Sequence, residues 1–333
     1  MAPVGKAFIY ESGEGSCFKW KSDFFFKNPG STDVQVKVIS AGLNPVDYKI
    51  PHMGFLWWSA KGKPVGKDLC GEVTAVGPAV TGFKVGDVVF GQGDGCCSEY
   101  AMTNPTAISK VPEGEKDVAV YGGLGVASGT AYQMLNLAGA FAGTEAKTVM
   151  IIGASGGVGS SAVQIAKAKC PSGSKVLAVC SSKSADYVKS IGADEIIDYS
   201  KEGFSFATCV SEKSLDAVID CVSSPDDYNH KPEGMRFLKE KTGQYVAANS
   251  PSKLDWVMLL FGSAIGFKLF RGQYQLMFYT PKPQELKEIG DLVHQGKLKI
   301  HVDEYVKFED SAIRKAFDTL AGRRVRGKLI IKM

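Results

Sequence analysis

Residues Lys147–Lys169 read KTVMIIGASGGVGSSAVQIAKAK, and this stretch decides the fold. Its first part, Thr148–Ile152, is an apolar, β-branched run of the kind that forms a central parallel strand buried on both faces. The turn Gly153–Gly159 contains four glycines, and Ser160–Lys169 then has the pattern of an amphipathic helix. This order predicts a dinucleotide site, because small residues let the backbone approach a pyrophosphate and the helix presents unpaired N–H groups to it.

The segments that follow continue the alternation of strands and helices. Further strands are predicted at Lys175–Cys180, Glu195–Asp198, Leu215–Val222 and Gly243–Ala248. Such an alternation predicts a βαβαβ unit with right-handed crossovers, and therefore an α/β fold with a doubly wound parallel sheet. The glycine motif is imperfect, since Ala154 stands where the first glycine of G-x-G-x-x-G is expected. An ordinary strand, turn and helix without a ligand is thus the alternative.

The residues after the second of these strands predict which dinucleotide binds. An NAD site uses a carboxylate about 20 residues beyond the glycines to bond the ribose 2′-hydroxyl. Here the strand ends in CSSK, and no carboxylate follows Cys180 before Asp186. Ser181, Ser182 and Lys183 offer two hydroxyl groups and an ammonium to a 2′-phosphate. The sequence therefore predicts NADPH as cofactor, with a plain polar loop as the alternative.

The composition is that of an ordinary enzyme, and the length suggests two domains. Of 333 residues, 44% are hydrophobic and 22% charged, and the formal net charge of +4 is too small to predict a nucleic-acid partner. The apolar run Trp256–Phe270 is too short and too interrupted for a bilayer span, and we expect it to form a lobe or subunit contact that contributes to a dimer. Because the first residues lack an apolar signal core, we expect a cytoplasmic protein.

The cysteines and histidines do not predict a metal site or a disulfide framework. The eight cysteines lack the spacing of paired metal ligands, and adjacent Cys96 and Cys97 are too close for a zinc knuckle. The four histidines are equally scattered along the sequence. We therefore expect reduced thiols and no bound metal.

The chain is predicted to form two domains, one of them discontinuous. Residues 1–124 carry short β-like runs separated by glycine and proline, which predicts a barrel-like β domain. Residues 125–270 are assigned to the dinucleotide-binding domain. Residues 271–333 are expected to return to the first domain and complete it.

Five motifs together resemble one family along nearly the whole chain. They are Ala41–Tyr48 (AGLNPVDY), Gly66–Gly71 (GKDLCG), Phe83–Gly91 (FKVGDVVFG), Ala154–Gly159 (ASGGVG) and Arg326–Lys328 (RGK). Their order and spacing resemble the zinc-free quinone oxidoreductase branch of the medium-chain dehydrogenase/reductase superfamily. The resemblance implies a GroES-like β-barrel substrate domain, a Rossmann domain that binds NADPH, and an active site in the cleft between them.

The resemblance also implies that the protein works without zinc. Zinc-dependent relatives carry metal ligands at the positions of Asn44, Lys67 and Val126. An amide, an ammonium and an aliphatic side chain at these positions would not build a zinc site.

Site residues follow from the same resemblance, position by position. Near the nicotinamide and its ribose it places Asn44, Asp47, Tyr48 and Thr130; along the pyrophosphate Ser155, Gly156, Gly157 and Val158; and around the 2′-phosphate Ser181, Lys183 and Tyr199. Asn249 and Lys328 are further candidates for cofactor contacts, and Tyr48, Asn44 and Lys67 for catalysis. For Asn44 and Tyr48 the alternative is a polar turn that bonds its own backbone.

The sequence thus predicts an NADPH-dependent reductase of quinones or α,β-unsaturated carbonyls that acts as a homodimer joined at the Rossmann sheet edge. A short-chain dehydrogenase is excluded, because none of the twelve tyrosines has a lysine four positions on. The other alternative is an NADPH-binding structural or RNA-associated protein with little turnover, which no aromatic-basic segment favours.

Overall fold

A computed structural model describes residues 2–13, 16–52, 55–223, 229–250 and 272–333. The run Trp256–Phe270, predicted to contribute to a dimer contact, lies outside these ranges. Within them, no helix is long and apolar enough to cross a membrane.

The helices and strands have the following bounds. The strands are β1 (Val4–Gly13), β2 (Ser16–Phe25), β3 (Val34–Gly42), β4 (Asp68–Val76), β5 (Val88–Gln92), β6 (Tyr100–Thr103), β7 (Ile108–Lys110), β8 (Thr148–Ile152), β9 (Lys175–Cys180), β10 (Glu195–Asp198), β11 (Ala217–Asp220), β12 (Gln244–Ala247), β13 (Tyr274–Leu276), β14 (Val302–Lys307) and β15 (Lys328–Lys332). The helices are α1 (Pro45–Lys49), α2 (Phe55–Ala60), α3 (Gly125–Leu137), α4 (Gly157–Lys169), α5 (Ala185–Ser190), α6 (Lys231–Arg236), α7 (Pro283–His294) and α8 (Asp310–Ala321).

The chain divides into two compact units. The first comprises Met1–Gly129, Thr280–Gly296 and Ile300–Met333, and the second comprises Thr130–Tyr279 and Lys297–Lys299. The first unit is therefore discontinuous. The main segment of the second unit runs to Tyr279, beyond the predicted boundary after residue 270. The reason is that β13 pairs with β12 in the sheet of the second unit.

The first unit is built on a seven-stranded sheet and a separate hairpin. The sheet runs β14-β15-β3-β4-β5-β7, with β6 also paired to β3, and the hairpin is β1-β2. The C-terminal strand β15 pairs antiparallel with β3, with Ile331 opposite Ala41. The rings of Phe8, Phe18 and Phe317 stack in the core, with centroids 5.2–6.1 Å apart. These contacts join β15 and α8 to the N-terminal strands.

The second unit is a parallel sheet in the order β10-β9-β8-β11-β12-β13. All neighbouring strands are parallel, and the buried runs Val149–Ile152 and Ala217–Ile219 explain why β8 and β11 occupy the centre. The strand order reverses between β8 and β11, which is where open α/β sheets bind ligands. The predicted doubly wound sheet is confirmed.

Candidate functional site

The glycine turn between β8 and α4 has the shape that a pyrophosphate needs. Gly153 has φ 80°, a conformation that favours glycine. A Cβ on Gly159 would lie 2.1 Å from the carbonyl oxygen of Gly153, so this glycine permits the close packing of α4 on the turn. Gly153 thus supplies the sharp turn that the first glycine of the motif usually provides.

The N-terminus of α4 leaves room and donors for an anion. Among the described residues, a Cβ on Gly156 would meet no atom nearer than 3.7 Å. Gly156 caps the helix without a side-chain hydrogen bond, so the first-turn N–H groups have no acceptor from a cap side chain. Ser155, Gly157 and Val158 are half-buried beside it. All four residues predicted to line the pyrophosphate lie at this helix N-terminus, and their geometry fits that group.

The residues predicted to hold the 2′-phosphate lie at the ends of two adjacent strands. Ser181 follows β9 and precedes the short 3-10 helix that contains Lys183. Tyr199 follows β10, and its N–H donates to the carbonyl oxygen of Cys180 at 3.2 Å. The Tyr199 side chain is 55% exposed. The structure therefore places Ser181, Lys183 and Tyr199 after the last residues of β9 and β10, at one edge of the parallel sheet.

Two other predicted cofactor contacts lie elsewhere in the second unit. Asn249 follows β12, and its Oδ1 accepts the N–H of Ser250 at 2.9 Å. Thr130 lies in α3 and is 7% exposed. These two residues therefore lie on elements other than the glycine turn.

A buried polar network in the first unit contains Asn44 and Lys328. The Lys328 ammonium donates to the Leu43 carbonyl oxygen at 3.0 Å, to Asn44 Oδ1 at 2.7 Å and to Asp68 Oδ2 at 3.0 Å. The Asn44 amide donates to the Gly42 carbonyl oxygen at 3.2 Å and to Asp68 Oδ2 at 2.9 Å. A lysine has three donor hydrogens and an asparagine amide has two, so all of these donors are used.

Asp68 is the centre of this network, and sequence reasoning did not single it out. Its Oδ1 accepts the Val126 N–H at 2.5 Å, near the start of α3. The carboxylate therefore joins Asn44 and Val126, two of the three positions where zinc-dependent relatives carry ligands. A signal was present in the GKDLCG motif, where a charged residue opens the buried start of β4. Its partner Lys328 lies 260 residues further along the chain.

Asp47 is a fully buried carboxyl group beside this network. Its Oδ2 accepts the Asn44 N–H at 2.8 Å, whereas its Oδ1 has no hydrogen-bond partner among the described residues. Burial raises the pKa of Asp47 to about 7, the Asn44 N–H opposes this, and the nearby Asp68 adds to it. Asp47 is thus a group that can hold a proton near neutral pH.

The two remaining catalytic candidates differ in their surroundings. Lys67 Nζ lies 2.5 Å from Asp94 Oδ1 in a partly exposed ion pair. Burial lowers the pKa of Lys67, but the Asp94 carboxylate more than offsets this and holds it above the ordinary value. Tyr48 lies in α1 and packs half-buried against the core of the first unit. The structure therefore joins Asn44 directly to Asp47 and to Lys328. Asn44 and Lys328 also share Asp68 as an acceptor, and Lys67 pairs separately with Asp94.

Family models match both parts of the chain. The model described as "Alcohol dehydrogenase GroES-like domain" matches residues 30–142, and that described as "Zinc-binding dehydrogenase" matches residues 191–331. The first of these models confirms the GroES-like domain predicted from the sequence.

Individual relatives give the same result over nearly the full length. Trans-enoyl reductase pgmF of Aspergillus terreus is 31% identical over 92% of this chain and 88% of its own length. The chloroplast envelope quinone oxidoreductase homolog of Arabidopsis thaliana is 30% identical over 91% of each chain. The solved quinone oxidoreductase of Coxiella burnetii is 27% identical, with a TM-score of 0.80 over 98% of this chain and 99% of its own. The chain belongs to the quinone oxidoreductases of the medium-chain dehydrogenase/reductase superfamily and is an oxidoreductase.

Proposed function

We propose that this oxidoreductase uses NADPH to reduce quinones or α,β-unsaturated carbonyl compounds without zinc. The observation that carries the proposal is the buried polar network of the first unit, which contains the Lys328–Asp68 ion pair and the Asn44 amide. Asp68 also contacts Val126, so the network includes two of the positions that hold metal ligands in zinc-dependent relatives. The relatives reported above are a trans-enoyl reductase and quinone oxidoreductases. Those names do not favour the alternative of an RNA-associated protein.

The site residues are the reason for proposing a conjugated acceptor. A reduced nicotinamide supplies a hydride when it is bound. Reduction of a simple ketone concentrates negative charge on one oxygen, and enzymes stabilise that charge with a metal or a positioned acid. At the three ligand positions this chain has an amide, an ammonium paired with Asp94 and an aliphatic side chain. A quinone or enone spreads the charge over a conjugated system, which needs weaker hydrogen-bond support.

The roles of Tyr48 and Lys67 follow from their surroundings. A proton donor works best when its pKa lies near the working pH, and the ion pair with Asp94 moves the pKa of Lys67 away from it. We assign Lys67 to electrostatic support and Tyr48 to a hydrogen bond to the acceptor oxygen. Tyr48→Phe should lower turnover by less than about 100-fold, the lower end of the range for a positioned acid.

Lys328 and Asn44 are assigned a different role from the direct cofactor contacts expected from the sequence. Their donor hydrogens are all used within the network, so Asn44 retains only a lone pair on Oδ1 for a ligand. We therefore assign Lys328 to positioning Asn44 and α1, while Asp47 keeps its predicted place beside the nicotinamide ribose.

The choice of NADPH rests on Ser181, Lys183 and Tyr199 at the ends of β9 and β10. A charge-assisted contact between Lys183 and the 2′-phosphate should make Lys183→Ala weaken NADPH binding about ten- to hundredfold. NADH binding should change little, because NADH lacks that phosphate. The expected homodimer and cytoplasmic location stay predictions.

A panel of quinones, enones, enals and saturated ketones, each assayed with NADPH and with NADH, tests the proposal. We expect NADPH oxidation with at least one conjugated acceptor and little with its saturated counterpart. Oxidation of NADPH by saturated ketones alone would assign a different reaction. Binding of NADPH without consumption across the panel would favour a protein that holds the cofactor without turnover.

A further inference from the structure

A carboxylate stands beside the residues that we assign to the 2′-phosphate. Asp198 is the last residue of β10 and pairs in register with Cys180, the last residue of β9. Ser181 and Lys183 follow Cys180, and Tyr199 follows Asp198. The sequence after β9 contains no carboxylate before Asp186, and the fold supplies one from the neighbouring strand.

Asp198 is tied to the loop after β9 through Ser200. Its Oδ1 accepts the N–H of Ser200 at 2.9 Å and the Ser200 hydroxyl at 2.6 Å. Ser200 Oγ in turn accepts the N–H of Ser182 at 3.2 Å, and the two hydroxyl oxygens lie 3.1 Å apart. The hydroxyl and N–H of Ser200 hold the pKa of the Asp198 carboxyl below its usual range, so this group is an anion at neutral pH.

Counting hydrogens fixes what Ser182 can offer to a ligand. The ionised Asp198 can only accept, so the single hydroxyl hydrogen of Ser200 goes to it. The Ser182 hydroxyl must then donate its own hydrogen to Ser200. Ser182 is left with acceptor lone pairs. These suit the hydrogen of a ribose 2′-hydroxyl and not a phosphate dianion, which can only accept.

We propose that Asp198 is a specificity-determining residue that weakens the binding of the 2′-phosphate and so keeps NADH usable beside NADPH. This inference rests on the proposed function, because it places the adenosine ribose at these strand ends. A phosphate monoester carries between one and two negative charges at neutral pH. Lys183 attracts the 2′-phosphate, whereas the Asp198 carboxylate repels it. The ratio of the affinities for NADPH and NADH therefore reflects the balance between this attraction and this repulsion.

The test compares Asp198→Asn with a matched control on the same strand. Asparagine keeps an oxygen that can accept from Ser200 and removes the negative charge. The control is Glu195→Gln, which makes the same change in charge at the first residue of β10. Dissociation constants for NADPH and NADH are measured by fluorescence titration for both variants and the wild-type protein, at low and at high salt.

Asp198→Asn should raise the preference for NADPH over NADH about three- to tenfold at low salt, and the gain should shrink at high salt. Glu195→Gln should leave the ratio unchanged. If both dinucleotides bind but Asp198→Asn leaves the ratio unchanged, or Glu195→Gln moves it equally, the inference is wrong and the proposed function stands. If the wild-type protein binds neither dinucleotide, the proposed function fails and the inference with it.

Discussion

Lys328 and Asp68 form a buried ion pair, with Nζ 3.0 Å from Oδ2 and side-chain exposures of 4% and 0%. The pair joins β15, near the end of the chain, to β4, near its beginning. Asp68 also accepts the Val126 N–H at the start of α3. One carboxylate thus holds together segments that are far apart in the sequence.

Replacing Lys328 by methionine should strongly destabilise the fold. The variant leaves the Asp68 carboxylate buried without its counter-charge, which costs about 3–5 kcal/mol of the free energy of unfolding. Lys67→Met is the matched control, because the Lys67–Asp94 pair is partly exposed and such pairs contribute about 0–1 kcal/mol. Urea denaturation measures both. Similar small losses in the two variants would contradict the importance assigned to the buried pair.

Asp47 should make stability depend on pH in a defined direction. Its pKa rises from 3.8 to about 7 on folding, so the folded protein binds the proton more tightly than the unfolded chain. The contribution of Asp47 to stability is therefore full below about pH 4 and is lost as the pH rises to about 7.

Asp47→Asn removes this titration. Between the two ends of that pH window, its stability relative to the wild-type protein should improve by an amount on the order of 4 kcal/mol. Denaturation of both proteins across the window is the measurement. A stability difference that does not change with pH would show that Asp47 does not titrate with a raised pKa.

Two glycines of the dinucleotide turn should respond differently to alanine. In Gly156→Ala the new Cβ meets, within the part of the chain that the structure describes, only the Gly153 carbonyl oxygen, at 3.7 Å, so the fold should persist. The methyl group would fill the space in front of α4, and dinucleotide binding should weaken about tenfold or more, the loss of one charge-assisted hydrogen bond.

In Gly159→Ala the Cβ would lie 2.1 Å from the same oxygen, which forces the backbone apart. That variant should lose about 1–3 kcal/mol of stability. Thermal denaturation and calorimetric titration with NADPH separate the two effects. Full NADPH affinity in a stable Gly156→Ala protein would mean that the pyrophosphate does not lie at this helix.

The activity of the protein should not depend on zinc. Asn44, Lys67 and Val126 do not provide the thiolate, imidazole or carboxylate groups that bind this ion. Elemental analysis of active protein should therefore find well below one zinc ion per chain, and a chelator should leave turnover unchanged. Inactivation by the chelator with recovery on adding zinc is the outcome that would refute this.

Much of the second unit could be predicted from the sequence, for a physical reason. Strands of a parallel sheet are buried on both faces, so they read as continuous apolar runs between glycine turns. Lys175–Cys180 and Glu195–Asp198 have the predicted bounds. Strand β2, Ser16–Phe25, was missed because its mixed apolar and charged residues are mostly half-buried and show no clean alternation.

The roles of Asp68 and Asp198 could not be predicted from their neighbours in the sequence. Asp68 acquires its role from Lys328, which is 260 residues away. Asp198 acquires its role from the register between β10 and β9, which only the assembled sheet defines. Composition and spacing therefore identified the glycine turn, whereas the polar contacts required the tertiary structure.

The central claim is that hydride goes to a conjugated carbon. The most direct test uses an enone acceptor and NADPH in which both hydrogens at the nicotinamide C4 are replaced by deuterium, with the position of the label in the product determined by NMR. We expect one deuterium at the β-carbon and an intact carbonyl group. Deuterium at the carbonyl carbon, in an alcohol product, would contradict it.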